Sequence, residues 1–431
     1  MLPRSPTTAA TLERISSDMR GLHTADWHVG KLNYGLKRNE DHEHVFEQMY
    51  ALAKDEKVDI IIHSGDLYDK ENPGTEVLKQ GIAYLERLAE IAPVVFIPGN
   101  HDSNGMFEVI DALISCRRPP HHPIHILHTS RLKGERYGML ELASKDGRER
   151  LLVAGLPFIR PASFARQFIA LGADVRGLEF ADQIERLTSG IGAQFRAAYD
   201  SKTDVRIFVG HLLLQGSLVG GKDRGELALD IEEHTFGARG SSVPVVDYAA
   251  LGHIHRPQTP PGCEYARYAG SPLAVDFGES SEEKGVQIFE ARPGLPVRVR
   301  FVPLDVGREL VTATIPYEEL PLHGPLLAGK LVKLTVLIDS SERNVYDYVK
   351  ECMPDAVIAR VIEQVLVQEG QATPEIPDTA ALSPPDLFAS YIANKRGFDK
   401  ERANRYFRDL YGAATAGVQT RIQDIDALEQ V

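Results

Sequence analysis

The feature that most constrains this chain is a series of five short polar motifs, each placed directly after an apolar run. Asp26-Trp27-His28 follows Gly21 to Ala25, Gly65-Asp66-Leu67-Tyr68-Asp69 follows Asp59 to His63, and Gly99-Asn100-His101-Asp102 follows Pro93 to Ile97. Gly210-His211 and Gly252-His253-Ile254-His255 close later runs near Val205 to Val209 and Ala249 to Gly252. Between the first three runs the apolar spacing turns helical. Val45, Phe46, Met49, Leu52 and Ala53 share a face of Asn39 to Lys54, and Val77, Leu78, Ile82, Leu85 and Leu88 share a face of Pro73 to Ile91. The order strand–helix–strand–helix–strand predicts parallel strands with crossover helices, so the fold class is α/β. In sheets of this class the carboxyl ends of the strands form the ligand crevice, so the five motifs are expected to converge on one place. A glycine ahead of a ligand residue lets the backbone turn sharply and approach closely.

Carboxylate, imidazole and amide oxygen are donors for borderline and hard divalent cations, whereas a soft-metal site would use Cys or Met. An aspartate shared between two cations roughly 3.5–4 Å apart, flanked by histidines, suits an in-line displacement at phosphorus. Taken singly the motifs are weaker: Asp-x-His also fits a capped loop, and Gly-Asp-x-x-Asp is ordinary turn composition. Gly-His-x-His at a strand end is more specific, because buried imidazoles are costly without partners. All five in order predict a dimetal site. The remaining histidines are assigned elsewhere: His42 and His44 to a solvated helix face, His121, His122, His125 and His128 to the surface, His23 and His63 to the core. Trp27 is expected to pack beside the site, and neither Ser217 nor Cys263 has the setting of a nucleophile.

A length of 431 residues implies two or three domains. With 43% hydrophobic and 25% charged residues, and no apolar run near the roughly 18 residues of a membrane span, the chain reads as globular with no membrane partner. Residues 1–18 lack a secretory apolar stretch and are expected to be a disordered extension. Cys116, Cys263 and Cys352 form no disulfide or zinc spacing, which fits a reducing cytoplasm. The net charge of −13 lowers the expectation of DNA binding through a bulk positive field, although bound divalent cations supply local positive charge. Residues 19–305 are expected to form the catalytic domain and 306–370 a small α+β capping domain. Residues 371–385 read as a Pro/Ala/Thr-rich linker and 386–431 as a final helical segment.

His23-Thr24-Ala25-Asp26-Trp27-His28-Val29-Gly30, Gly65 to Asp69 and Pro98 to Asp102 together resemble the calcineurin-like metallophosphoesterases, and among them the bacterial SbcD-type nuclease subunits. Gly270-Ser271-Pro272 through Phe277-Gly278-Glu279 adds to the resemblance, which is strong from 20 to about 290. It implies a two-sheet sandwich and two divalent ions, usually Mn²⁺. One ion would lie on Asp26, His28, Asp66 and His255, and the other on Asp66, Asn100, His211 and His253. It implies His101 as general acid over the phosphate, Asp102 as the residue orienting it, and Asp69 as a support for a ligand imidazole. It also implies 3′→5′ exonuclease action on duplex ends and endonuclease action on single strands or hairpins, in DNA repair, recombination and replication.

The implied partners are DNA, a second copy through Pro73 to Ile91 and Met106 to Ile114, and an SbcC-type coiled-coil ATPase through Asn394 to Arg408. That last segment carries Lys395, Arg396, Lys400, Arg402, Arg405 and Arg408, with Phe398 among its apolar residues. Lys31, Lys37 and Arg38 are candidates for DNA phosphates. The chain has no Gly-x-x-x-x-Gly-Lys-[Ser/Thr] loop, so ATP use falls to the partner. The competing readings are another phosphodiesterase or phosphatase of the superfamily and an inert end-binding scaffold. Lys70-Glu71 and Asp102 differ from the Arg-Gly and Glu of the protein phosphatases, and every expected ligand is present.

Overall fold

The computed structural model describes residues 18–116, 121–132, 138–159, 180–219, 238–339, 344–366, 383–393 and 399–415. Residues 1–17 of the extension expected over 1–18, most of the linker (371–382) and Asn394, Lys395, Arg396 and Phe398 lie outside them. The chain divides into two compact units, Met1–Val365 and Leu366–Val431.

In the first unit, β1 (Met19–Thr24) leads to a small hairpin, β2 (Leu32–Asn33) and β3 (Leu36–Lys37), and then to α1 (Asn39–Asp55). β4 (Ile60–His63), α2 (Thr75–Leu88), β5 (Val94–Phe96), α3 (Asn104–Ser115) and β6 (Ile124–Ile126) continue the alternation. β1, β4, β5 and β6 are parallel neighbours, as the strand–helix order requires. A second group follows: β7 (Leu140–Ala143), β8 (Arg150–Leu156), α4 (Phe180–Ala198), β9 (Asp204–His211), β10 (Tyr248–Gly252) and β11 (Ala266–Tyr268). β8 to β11 run parallel in the order β11-β10-β9-β8, with β7 antiparallel at the edge. β12 (Gly285–Ala291) and β13 (Arg298–Pro303) then return to the first sheet, where β12 pairs antiparallel with β1.

The sheets stack face to face. Ile60, Ile62, Val95 and Ile97 of the first meet Val153, Val205, Ile207 and Val209 of the second in a shared buried layer. Their odd-phase neighbours Leu22, Ile61, Val94 and Phe96 face α1, α2 and α3 instead. Leu152, Ala154, Phe208, Ala249 and Leu251 likewise face α4. Covering both faces is why these strands read as unbroken apolar runs. His23, as expected, is a core histidine: Nδ1 lies 2.9 Å from the Tyr248 hydroxyl and Nε2 2.8 Å from Ser64 Oγ. His63 is also buried there, its Nδ1 accepting from Gly65 N at 3.3 Å.

Beyond residue 305, β14 (Leu310–Pro316), β15 (Leu331–Ile338) and β16 (Val357–Val365) form a parallel three-stranded sheet with α5 (Val345–Cys352) against it. Val332, Leu334, Val336, Val345 and Val349 give this piece its own core. In the second unit the single helical stretch expected from about Pro385 is two helices, α6 (Pro384–Ala393) and α7 (Lys400–Thr415). Phe388 stacks on Phe407 at 4.2 Å between them.

Two surface assignments are corrected by burial. His42 is buried, with its ring nitrogens 2.9 and 2.8 Å from the carbonyls of Arg38 and Trp27. His128 is buried 3.4 Å from Asp111, and His125 is half-buried. Both errors have one cause: helix periodicity and loop composition do not show which polar side chain a later element covers. His44, by contrast, is exposed and paired with Asp305 at 3.2 Å.

Candidate metal centre

The motifs sit at the carboxyl ends of five strands, three of the first sheet and two of the second, with Gly210-His211 forming the last two residues of β9 and Gly252 the last of β10. The turns out of these strands are tight enough to force unusual backbone. Asp26, His28, Asp66 and His253 all hold positive φ (54°, 47°, 56° and 99°), a region that costs of order 1–3 kcal/mol for side chains of this kind. The backbone amide of Asp26 donates to Gly65 O at 2.9 Å, and that of His28 to Asp66 O at 3.1 Å, so the first two loops brace each other. Gly65 has φ +102°, and a Cβ there would stand 2.1 Å from His211 Nδ1. At Gly99 a Cβ would stand 2.1 Å from Asp66 Oδ1. These two positions need glycine for close approach.

The side chains converge as overlapping clusters, two of which share Asp26, while a third joins His28 to Asp69 and His101. Asp26, His28 and His255 offer donor atoms all within 4.8 Å of one another, and so do Asp26, Asp66 and His211. His28 Nε2 lies 3.1 Å from His255 Nε2. Asp66 Oδ2 sits 3.6 Å from His28 Nε2 and 3.5 Å from His211 Nε2. Asn100 Oδ1 lies 2.9 Å from His211 Nε2 and 2.8 Å from His253 Nδ1, which joins His253 to the second cluster. Asp26, His28, Asp66, His211, His253 and His255 are all buried.

Neighbours set the tautomers. His211 Nδ1 lies 2.8 Å from the Ser64 carbonyl and His255 Nδ1 2.7 Å from Glu279 Oε1, so both rings turn Nε2 toward the cluster. Asp69 Oδ1 lies 3.7 Å from His28 Nδ1 and 3.1 Å from Lys31 Nζ. Burial lowers His28 to about 4 and His253 to about 3, leaving neutral imidazoles. Burial pulls the same way on His211, but the Asp66 and Asp26 carboxylates outweigh it and raise it to about 9. Burial raises Asp26 to about 6. It also pulls Asp66 up, yet His211, His28 and His101 hold that carboxyl well below the usual range. Buried oxygen and nitrogen donors, with facing imidazole nitrogens and a shared carboxylate, fit divalent cations.

His101 and Asp102 depart from the expected pairing. The His101 amide donates to Asp66 Oδ1 at 2.8 Å, and its Nδ1 lies 2.8 Å from the Asp69 carbonyl, so Asp69 rather than Asp102 orients the ring. Asp102 instead accepts from the amides of Leu67, Tyr68 and Gly99, at 3.1, 3.1 and 2.9 Å, and so clasps the second and third motif loops together. Burial and the Asp66 charge raise it to about 7 against those amides. Sequence could not separate the two roles, because adjacency in Gly-Asn-His-Asp says nothing about which way each side chain turns. Trp27 packs beside the site as expected, 4.6 Å from His63 by ring centroids.

Arg38, a candidate for DNA phosphate, is not available to one. It is buried, ion-paired with Asp41, and donates to Asn33 Oδ1 at 3.1 Å and Ala274 O at 3.2 Å. Lys37 remains exposed and Lys31 half-buried beside Asp69.

The pattern of the calcineurin-like phosphoesterases matches residues 19–257. The SbcD subunit of the SbcCD nuclease of Bacillus subtilis is 31% identical over 304 residues, covering 68% of this chain and 71% of that protein. Its counterpart of the same name in Escherichia coli K12 is 28% identical over 279 residues, 63% of this chain and 64% of that protein, just under two thirds of its length. Among solved structures, a dimetal phosphatase from Danio rerio is 12% identical at a TM-score of 0.35, covering 67% of this chain and 99% of that one, a likeness too slight to support a reading. By the span of the family match and by the Bacillus relative, the chain belongs to the calcineurin-like phosphoesterases and, within them, to the family of the SbcD subunits of SbcCD nucleases.

Proposed function

We propose that the chain is a two-metal DNA nuclease, a 3′→5′ exonuclease on duplex ends and an endonuclease on single strands and hairpins. In this reading it works with an SbcC-type ATPase in DNA end processing, repair and recombination. The observation that carries it is Asp66 Oδ2, set at nearly equal distances from His28 Nε2 and His211 Nε2 at the junction of the two clusters. Asp26, His28, Asp66 and His255 would hold one cation, and Asp66, Asn100, His211 and His253 the other. Two divalent ions, manganese in this reading, would supply a water of lowered pKa and neutralise charge on the phosphate oxygens.

The chain's own residues position and move the protons. His101 keeps Nδ1 toward the Asp69 carbonyl, so the proton it exchanges with a leaving 3′ oxygen is the one on Nε2. Its amide on Asp66 Oδ1 ties that acid to the shared carboxylate. Asp102 is a positioning residue that holds the loops of both. Residues 19–305 serve as the catalytic domain, 306–370 as the cap, 371–385 as linker and 386–431 as the ATPase-docking segment. In that segment Arg402, Arg405 and Arg408 are exposed on α7, a basic face suited to an acidic coiled coil. Val109 and Leu113 are 60% and 61% exposed on α3, a face suited to a second copy of the chain.

The test is cleavage of an end-labelled duplex and a hairpin with Mn²⁺, comparing wild type with His101→Ala beside EDTA controls. Metal-dependent cleavage is expected from the wild type and a loss of at least about 100-fold from the variant, which should still bind metal. Intact DNA alongside hydrolysis of a small phosphodiester, even with the ATPase and ATP present, would leave the phosphoesterase chemistry standing and sink the nuclease.

A further inference from the structure

Beside the metal centre lies a buried charged cluster that the five motifs do not include. Glu279 and Lys284 are both almost completely buried, with Lys284 Nζ 2.6 Å from Glu279 Oε2. A buried pair is weak as a stabilising device, since its desolvation cost rivals its attraction, so its position needs a reason. Both residues act on His255. Glu279 Oε1 lies 2.7 Å from His255 Nδ1, while Lys284 Nζ donates to the His255 carbonyl at 3.1 Å. Glu279 is held in turn by Ser271 Oγ at 3.3 Å and the Val275 amide at 3.1 Å, and Ser271 donates its own amide to the His255 carbonyl at 3.0 Å. The imidazole and the backbone of one ligand residue are therefore gripped by one ion pair. At His211, by comparison, Nδ1 lies 2.8 Å from the neutral Ser64 carbonyl, and the carboxylate oxygen Asp26 Oδ1 stands off at 4.0 Å.

We infer that Glu279, backed by Lys284, is the positioning residue that sets His255 with Nε2 toward the cation and gives the Asp26–His28–His255 cluster its metal affinity, separately from the other cluster. A carboxylate on the far nitrogen fixes the tautomer and raises the basicity of the ligating one. Lys284 supplies the buried carboxylate with a counter-charge at 2.6 Å and is itself also paired with Glu282 at 3.0 Å. This deepens the two-metal reading and rests on it.

The test is Mn²⁺ titration of the full metal-free chain by calorimetry, with Mn–Mn coupling followed by electron paramagnetic resonance. Wild type is measured beside Glu279→Gln and the double variant Glu279→Ala/Lys284→Met, and metal-free melting temperatures are recorded for all three. Wild type should take two ions. Glu279→Gln, which keeps an oxygen toward Nδ1 and loses the charge, should bind one of them about 10-fold more weakly. The double variant, which also removes the buried cation, should bind that same ion about 100-fold more weakly, with the other unchanged and the coupling signal lost at intermediate Mn²⁺. Two ions bound with wild-type affinity by Glu279→Gln would overturn the assignment, whether or not the double variant folds. Equal weakening of both ions would overturn it too, since the effect would then be general loosening. A wild type that does not bind two ions would instead bring down the two-metal reading itself, before any variant is compared.

Discussion

At Gly99, a single methyl group decides whether the centre can close. A Cβ there would lie 2.1 Å from Asp66 Oδ1 and 2.4 Å from Asp66 N, and neither atom can retreat without disturbing the left-handed Asp66 backbone. Gly99→Ala is therefore expected to abolish uptake of at least one cation while the sheets stay folded. Equilibrium dialysis against Mn²⁺ beside far-ultraviolet circular dichroism checks this, and full uptake by a folded variant would contradict it. Asp69 acts at the same scale through two different atoms. Its carboxylate lies near His28 Nδ1 and its carbonyl near His101 Nδ1. Asp69→Asn should leave the carbonyl in place and so cost less cleavage activity than His101→Ala, which steady-state rates on one duplex substrate can compare.

Between elements, the polar joint around Asp41 ties α1 to the hairpin and to the segment that enters the three-stranded sheet. Asp41 is paired with buried Arg38, and Arg308 reaches it through Nε and Nη2, both at 2.9 Å. Arg38 continues to Asn33, whose side-chain amide donates to Val275 O at 3.0 Å. Burial pushes the Asp41 carboxyl up, but hydrogen bonds from Arg308 and Arg38 outweigh it and the net shift is downward. A carboxyl whose folded pKa is depressed stabilises the fold above its unfolded value of about 3.9 and loses that contribution as pH falls through the folded pKa. Asp41→Asn should cost about 3 kcal/mol at neutral pH, because Arg38 is left buried without its counter-charge. The difference from wild type should shrink below about pH 4, where denaturant melts at several pH values would show it. A pH-independent difference would mean that the charge is not what matters.

For the whole molecule, the centre bears on both stability and assembly. Buried carboxylates and imidazoles from both sheets face one another, so cations that bind only the folded chain must raise its stability. At 100 times the dissociation constant one ion contributes about 2.7 kcal/mol, and Mn²⁺ should raise the thermal midpoint where EDTA lowers it. An unchanged midpoint would argue against cation binding at the junction of the sheets. The exposed α3 face supplies a second check. Val109→Asp with Leu113→Asp should shift the mass seen by light scattering from two copies to one without loss of Mn²⁺ binding, and a wild type already of single-copy mass would end the self-association reading.

Local order supplied much of this molecule. The period-3.6 faces of α1 and α2 and the unbroken runs of β4 and β5 are nearest-neighbour properties, and they appear within about three residues of their expected ends. The five motifs were legible for the same reason: a ligand loop at a strand end carries glycine and donor residues in a row. Contacts made at long range were not legible. That β12 would return to pair with β1, that the Asp69 carbonyl and not the Asp102 side chain would hold His101, and that Arg38 and His42 would be buried all depend on distant segments. The same holds for Glu279 behind His255, where the residues stood in a motif but their meeting did not. Donor chemistry and strand order follow from the sequence because they are set residue by residue. Which donor faces which is set by the stacking of two sheets, whose partners lie far apart along the chain.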